Sequence, residues 1–115
     1  MLTKKDYCDY ETCVALKDLG FKDSTEYYYA NNGEYTTTHD NWHSEYTQCW
    51  SLYEAQKWLR EKKQMILLPA YLERANVWIC EICYRKERLG FGGYNQSYEE
   101  ALSEGIKEAV NILKK

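Results

Sequence analysis

The sequence predicts an α+β fold in which a four-stranded antiparallel sheet packs against three helices that lie mainly on one face. Two helix start signals followed by apolar stripes and two pairs of strand-like segments lead to this prediction. A chain of 115 residues suits one domain, residues 1–115, with one hydrophobic core. The predicted order is αββ-αββ-α, an αββ unit used twice and closed by a helix.

The first unit begins with a helix over residues 10–19. Residues 1–7 carry no pattern and are expected to be disordered. Asp9 is a suitable N-cap, and Gly20 stands where a helix commonly ends in a left-handed residue. Phe21 is then expected to fold back on the last turn of the helix.

Two strands follow this helix. Residues 25–30 and 34–38 are rich in Tyr and Thr, which favour extended backbone, and they flank Asn31-Asn32-Gly33, a typical hairpin turn. Residues 39–48 are polar and aromatic without a period, which predicts a loop.

The second unit opens with the capping box Ser51-Leu52-Tyr53-Glu54, which predicts a helix ending near Lys63. Two strands follow, over residues 65–72 and 77–85. Pro69 lacks an N–H group, so the first of these strands is expected at a sheet edge or at a bulge. Residues 86–96 contain three glycines and predict a loop, or a strand end with a bulge.

The closing helix has the clearest pattern in the chain. Ser97-Tyr98-Glu99-Glu100 is a second capping box, and Gly105 would let the helix approach the sheet closely. Its apolar side chains follow the 3.6-residue period, and they are Tyr98, Leu102, Ile106, Ala109, Val110 and Leu113.

Composition indicates a globular protein that is rich in contact-forming side chains. Twelve Tyr and four Trp accompany only two Phe, a bias that favours half-exposed sheet faces or protein contacts, although Tyr is also a good strand former. No run approaches the ~20 apolar residues that span a bilayer, and residues 1–5 lack a signal-peptide core. We therefore expect a cytoplasmic protein without membrane contact.

Charge is unevenly divided within the net charge of −3. Residues 1–56 carry four Lys against ten acidic side chains, whereas residues 57–115 carry eleven Lys or Arg against eight Glu. This asymmetry suits a polarised surface or self-association, and it disfavours bulk attraction to nucleic acid, which requires a concentrated positive patch.

Three segments carry a family resemblance that extends over most of the chain. They are Tyr10…Ala15-Leu16-Lys17…Gly20-Phe21, Ala55…Trp58-Leu59-Arg60-Glu61-Lys62 and Ser97-Tyr98-Glu99-Glu100-Ala101-Leu102…Gly105-Ile106-Lys107-Glu108-Ala109. They resemble small uncharacterised proteins of phages and prophages of gut Bacteroidales, which implies a mobile-element origin and no established activity. The last segment is also similar to the helix of HicB-type antitoxins, although two αββ segments depart from that pattern.

The cysteines predict packing rather than chemistry. Five cysteines without a signal peptide are best interpreted as reduced thiols. Cys80 and Cys83 form a C-x-x-C motif within a strand, where residues three apart point to opposite faces. A mixed zinc site that adds His39 and His43 is the alternative. We predict neither a metal nor a cofactor.

No reaction centre stands out, so we predict a protein that is not an enzyme. His39, Asp40, His43 and Glu45 would suit a nuclease or hydrolase, but polar residues cluster in loops for reasons of solvation. The glycine-rich segment 90–93 precedes a helix without the Rossmann context.

The leading hypothesis is a non-enzymatic protein-binding or accessory module whose partner is unidentified. The candidate binding residues are Trp42, His43, Arg85, Arg88 and Tyr94. Nucleic-acid binding through the basic C-terminal half, with Tyr84 and Tyr94 as stacking groups, is an alternative. A HicB-like antitoxin module is another. The sequence does not specify the oligomeric state.

Overall fold

The computed structural model describes residues 4–22, 28–29, 35–36, 47–91 and 93–114. Within these ranges the chain forms three α-helices, six strands and a 3-10 turn over Lys4–Asp6. The helices are α1 (Tyr10–Asp18), α2 (Leu52–Lys63) and α3 (Tyr98–Lys114). The strands are β1 (Tyr28–Tyr29), β2 (Tyr35–Thr36), β3 (Thr47–Gln48), β4 (Met65–Leu72), β5 (Val77–Tyr84) and β6 (Glu87–Phe91).

The strands form two antiparallel sheets, ordered β2-β1-β3 and β4-β5-β6. The protein is α+β as predicted, but the single four-stranded sheet and the αββ-αββ-α order are wrong. Each unit has a third strand. Strand β3 lies in residues 39–48, for which the sequence predicts a loop, and β6 lies in residues 86–96, for which it predicts a loop or a strand end with a bulge. These strands are short and polar or glycine-containing, and they pair through main-chain hydrogen bonds, which require no apolar run in the sequence.

Local signals set the ends of α1 as predicted. The Asp9 carboxylate accepts a hydrogen bond from the Thr12 N–H group at 2.8 Å, which caps the first turn. Gly20 has a φ of +109°, and the Phe21 N–H group donates to the Leu16 carbonyl at 3.0 Å. This reversal is a Schellman motif, and it folds Phe21 back under the helix.

Phe21 then connects α1 to α2 through an aromatic stack. Its ring lies 4.1 Å from the Trp50 ring and 4.9 Å from the Trp58 ring, with nearly parallel planes in both pairs. Phe21 and Trp50 are fully buried, so the stack is part of the core that joins the two αβββ units.

The first predicted capping box is complete, and the second is present in part. The Ser51 hydroxyl accepts from the Glu54 N–H group at 3.1 Å, and the Glu54 carboxylate accepts from the Ser51 N–H group at 3.0 Å. At α3 the Ser97 hydroxyl accepts from the Glu100 N–H group, while the Glu100 carboxylate accepts from the Gln96 N–H group. The first box satisfies two N–H groups at the start of its helix, whereas the second satisfies the Glu100 N–H group and the N–H group of Gln96, which precedes the N-cap.

Helix α3 packs closely on β4 and β5, as its small residue predicts. A Cβ atom at Gly105 would lie 2.4 Å from the Cys80 sulfur and 3.0 Å from the Cys80 Cβ atom. Gly105 is therefore needed for the close approach between helix and sheet. The core on this side includes Met65, Leu67, Cys80, Ile82, Leu102, Ile106 and Ala109.

Part of the segment expected to be disordered has defined contacts. The Tyr53 hydroxyl donates to the Asp6 carboxylate at 2.7 Å, and Tyr7 forms a β-bridge with Ser51. These contacts connect residues 4–7 to the start of α2. Residues 1–3 lie outside the described part of the chain.

Candidate binding surface

The two faces of the β4-β5-β6 sheet differ sharply in exposure. Leu67 is 2% exposed and faces α3, whereas the next residue, Leu68, is 48% exposed. Because successive side chains of a strand point to opposite faces, the even-numbered residues of β4 form a second face that α3 does not cover. The antiparallel register adds the odd-numbered residues of β5, since Leu68 lies opposite Glu81 and Ile66 opposite Cys83.

We call this second face the open face and the α3 side the closed face. Ile66, Leu68 and Leu72 on the open face are 40%, 48% and 36% exposed. An exposed cluster of aliphatic side chains is typical of an interaction site. The open face of β4 and β5 consists of Ile66, Leu68, Ala70, Leu72, Val77, Ile79, Glu81 and Cys83. Ile79, in the central strand, is 5% exposed, so the exposed aliphatic side chains are those of β4.

The charges in the middle of the open face compensate each other. Glu81 is the acidic residue on its β5 row, and the Arg88 guanidinium of β6 forms an ion pair with it. Arg88 lies opposite Cys83, which places both charges on the same face. The aliphatic side chains are therefore bordered by a compensated ion pair, which does not select a partner of one charge sign.

The free edge of β4 is protected against strand addition. Gln64 accepts a ladder hydrogen bond from the Arg85 N–H group, so the odd-numbered residues of β4 direct their main-chain groups away from β5. On that side the Leu67 carbonyl already accepts from the Gln56 side chain at 2.9 Å, and Pro69 has no N–H group. The predicted edge position of Pro69 is confirmed. A partner therefore finds the face of the sheet more accessible than its edge.

One end of the open face carries a concentration of positive charge. Arg60 of α2 and Arg85 and Lys86 of the β5–β6 turn line a cavity of about 410 Å³, together with Gln64 and Ile66. We call this cavity the basic pocket. It joins two segments of the chain, residues 60–66 and residues 85–86, that are distant in the sequence.

The structure does not bring the predicted binding residues into one site. Arg85 lies in the turn after β5, where its guanidinium stacks 5.2 Å from the Tyr84 ring. Tyr94 is 67% exposed and precedes Asn95, which pairs with Trp78 near the other end of β5. Seven residues of strand separate the two ends, which is roughly 23 Å.

The other three candidates differ in their situation. Arg88 forms an ion pair with Glu81, so its charge is compensated. Trp42 and His43 lie outside the described residues, as do His39, Asp40 and Glu45 of the hydrolase hypothesis.

The C-x-x-C motif has the arrangement that its strand position predicts. Cys80 is 1% exposed on the closed face, and burial raises the pKa of its thiol to about 12. Cys83 lies on the open face and is partly exposed. The two thiols therefore point away from each other and cannot share a metal ion.

Three further cysteines meet in the core. The Tyr29 hydroxyl donates to the Cys8 carbonyl at 2.6 Å, and the Cys13 thiol donates to the same carbonyl at 3.8 Å. The contact with Cys13, together with burial, raises the pKa of the Cys49 thiol well above its ordinary value. A thiol held protonated in this way, as at Cys49, is a poor nucleophile and a poor metal ligand. Within the described ranges, no group of three or more His, Cys, Asp or Glu side chains is arranged to bind a metal ion.

Sequence reasoning missed the aliphatic side chains of the open face. Residues Met65-Ile66-Leu67-Leu68 are all apolar, so the run conceals the alternation between buried and exposed positions. The sequence does contain one indication of this face: Glu81 is acidic, which indicates that its side of β5 is more exposed to solvent than the opposite side.

Comparisons with protein-family models, with curated proteins and with solved structures find no match for this chain. Among the described residues, no helix has the length and apolar composition that crossing a bilayer requires.

Proposed function

We propose that this protein is a non-enzymatic protein-binding module, an accessory protein of phage or prophage origin, and that the open face is its binding surface. The observation that carries the proposal is the row of exposed aliphatic side chains, Ile66, Leu68 and Leu72, on the face opposite α3. These side chains add less to the stability of a monomeric fold than fully buried ones do, because each remains at least a third exposed.

The dimensions of the open face favour an amphipathic helix of another protein as the partner. Eight-residue strands are roughly 26 Å long, and three strands side by side span roughly 14 Å. A helix of 17 residues, the length of α3, is about 26 Å long and matches the strands.

Such a partner would complete a helix–sheet–helix arrangement. On the closed face, α3 covers β4 and β5 with one apolar stripe, and a second helix with an aliphatic stripe would do the same on the open face. The compensated pair of Glu81 and Arg88 allows a partner helix whose polar side is neutral.

Nucleic-acid binding has less support. Of the basic and aromatic residues on which that hypothesis rests, Arg88 is paired with Glu81, and Tyr94 lies a strand length away from Arg85. The HicB-like hypothesis rests on the sequence similarity of α3 alone.

The proposal is tested by NMR titration of the isotope-labelled protein with two synthetic peptides. One is a 17-residue neutral helix with Leu at i, i+3, i+4 and i+7 spacing, which we call the striped peptide. The other has the same composition in scrambled order. We expect saturable amide shifts in β4 and β5 with the striped peptide and none with the scrambled one. Equal shifts with both peptides, or shifts confined to other elements, would refute the proposal.

Two substitutions on β4 provide a matched comparison. Leu68→Glu places a charge on the open face, whereas Tyr71→Glu places one at a side chain of similar exposure (46%) that packs beside Trp78 on the other face. Leu68→Glu should weaken striped-peptide binding at least tenfold, and Tyr71→Glu should leave it unchanged. Sedimentation velocity of the free protein adds a further condition: a stable dimer that Leu68→Glu dissociates would assign the face to a second copy and overturn the proposal.

A further inference from the structure

We infer that the basic pocket is a binding site for a phosphate monoester, a phosphate group carried by a small organic molecule. This site is separate from the helix-binding role of the open face, although Ile66 borders both. It is formed where the C-terminal end of α2 meets the turn between β5 and β6.

The first argument is uncompensated charge. The pocket is lined by Arg60, Arg85 and Lys86, and none of them forms an ion pair with any residue that the structure describes. Three cations that converge on one cavity repel one another, and an anion relieves that repulsion. A phosphate dianion offers about two negative charges and three acceptor oxygens, whereas a carboxylate is matched by a single arginine.

The second argument is the origin of the three cations. Arg60 lies near the C-terminus of α2, where a positive side chain is favourable for the helix dipole alone. This explanation does not extend to Arg85 and Lys86, which come from a different element. The chain brings them together through the hydrogen bond between the Gln64 carbonyl and the Arg85 N–H group, at 3.1 Å.

The third argument is the backbone of the turn. Arg85 and Lys86 have φ angles of +52° and +71°, the conformation of a two-residue hairpin turn that Asn-Gly adopts at little cost. Gln64, which also lines the pocket, has a φ of +58° that the left-handed end of α2 accounts for, so the argument rests on Arg85 and Lys86. Side chains such as Arg and Lys rarely adopt this region, and conformations of this kind cluster at ligand sites. The turn thus places two cations at the mouth of the pocket at the expense of stability.

The fourth argument concerns what accompanies the phosphate. The cavity of about 410 Å³ is within the range of small-molecule sites, and Ile66, 40% exposed, gives it an apolar wall. A phosphate bound by the cations leaves room for an organic group against Ile66. An extended nucleic-acid strand fits less well, because Glu61 and Glu87 directly follow Arg60 and Lys86 in the chain and are exposed.

The inference is tested by titrating the full chain with phenyl phosphate, inorganic phosphate and benzoate at low ionic strength, followed by NMR. Phenyl phosphate should bind at least tenfold more tightly than benzoate and more tightly than inorganic phosphate, with amide shifts at residues 64–66 and 84–87. Equal affinity for phenyl phosphate and benzoate, or shifts elsewhere, would overturn it. A single-stranded oligonucleotide whose affinity rises with length above that of phenyl phosphate would also overturn it, in favour of a nucleic-acid surface.

Three charge-matched substitutions make the test specific. Arg60→Gln and Arg85→Asn should each weaken phenyl phosphate binding at least fivefold. Arg74→Asn, in the β4–β5 turn at the opposite end of the sheet, should leave it unchanged. The double substitution Arg85→Asn with Lys86→Gly should abolish binding and raise the melting temperature, because it installs a favourable turn. Retained binding in that stable double variant would contradict the assignment. Since none of these variants alters Leu68, a loss of phenyl phosphate binding with unchanged striped-peptide binding separates this site from the proposed function.

Discussion

The closed and open faces of the β4-β5-β6 sheet belong to the same strands, but α3 covers only the closed face. On the closed face, α3 and its Gly105 approach Cys80 so closely that a single added methyl group does not fit. On the open face, Ile66, Leu68 and Leu72 of β4 remain between 36% and 48% exposed, whereas Ile79 of the central strand β5 is 5% exposed. The comparison shows that, from Met65 to Leu68, alternate side chains of one strand are buried against the helix while the intervening ones stay exposed to a partner.

The largest difference between the faces is expected from the same substitution made on both. Ile106 of α3 is fully buried against the closed face, and Ile106→Ala should lower the free energy of unfolding by about 2–5 kcal/mol. Ile66→Ala on the open face should lower it by about 1 kcal/mol or less, because Ile66 is already 40% exposed. Urea unfolding of the two variants measures both values, and similar losses would remove the distinction between the faces.

A smaller effect is expected from overfilling the closed face. Gly105→Ala should destabilise the protein by about 1–3 kcal/mol, which exceeds the gain of up to ~1 kcal/mol that alanine brings to a helix. Cys80→Ala removes the sulfur at 2.4 Å and should recover part of this loss in the double variant. Strictly additive effects in the double-mutant cycle would show that helix and sheet can separate at no cost.

The Asp9 cap of α1 should make a pH-dependent contribution of less than about 1 kcal/mol to the free energy of unfolding. Burial alone would raise the pKa of Asp9, but the hydrogen bonds from Thr12 and the Lys107 ammonium together lower it below its ordinary value. The carboxylate therefore contributes stability above the unfolded-state pKa, and that contribution is lost as the pH falls through the lower folded-state pKa. The ion pair with Lys107 at 3.2 Å is half-exposed and screened, so the effect is modest.

This dependence is measured with Asp9→Asn, which retains an N-cap acceptor but not the charge. The wild-type protein should be more stable than the variant at pH 7, and the difference should shrink as the pH falls below about 4. A difference that is independent of pH would contradict the assigned role of the charge.

The smallest effect on stability concerns the two cysteines of the C-x-x-C motif. Iodoacetamide should modify Cys83 on the open face of the folded protein while Cys80 stays unmodified, because Cys80 is buried and its thiol has a pKa raised to about 12. Mass spectrometry of peptides identifies the modified site. The labelled protein should unfold within about 0.5 kcal/mol of the unlabelled one. Equal labelling of both cysteines would indicate that the closed face opens readily.

The helices were predictable because their signals are local. Asp9, Ser51 and Ser97 cap helices within three residues of themselves, so the sequence alone contains the necessary partners. The closing helix also has a regular apolar stripe, which does not depend on what it packs against.

The division into two sheets was not predictable in the same way. Strand β3 is defined by pairing with β1, about twenty residues earlier, and its Thr-Gln sequence carries no strand pattern of its own. The basic pocket is similar, since Arg60 and Arg85 meet only because β4 and β5 align Gln64 with Arg85. Such sites depend on register, which the sequence does not state directly.

The most direct test of the difference between the faces uses two neighbouring leucines of β4. Leu67→Ala and Leu68→Ala are each measured for free energy of unfolding and for affinity toward the striped peptide. We predict that Leu67→Ala loses about 2–5 kcal/mol of stability while its folded fraction binds normally, and that Leu68→Ala keeps its stability and binds several-fold more weakly. If Leu68→Ala binds the peptide as tightly as the wild-type protein, the open face is not the binding surface.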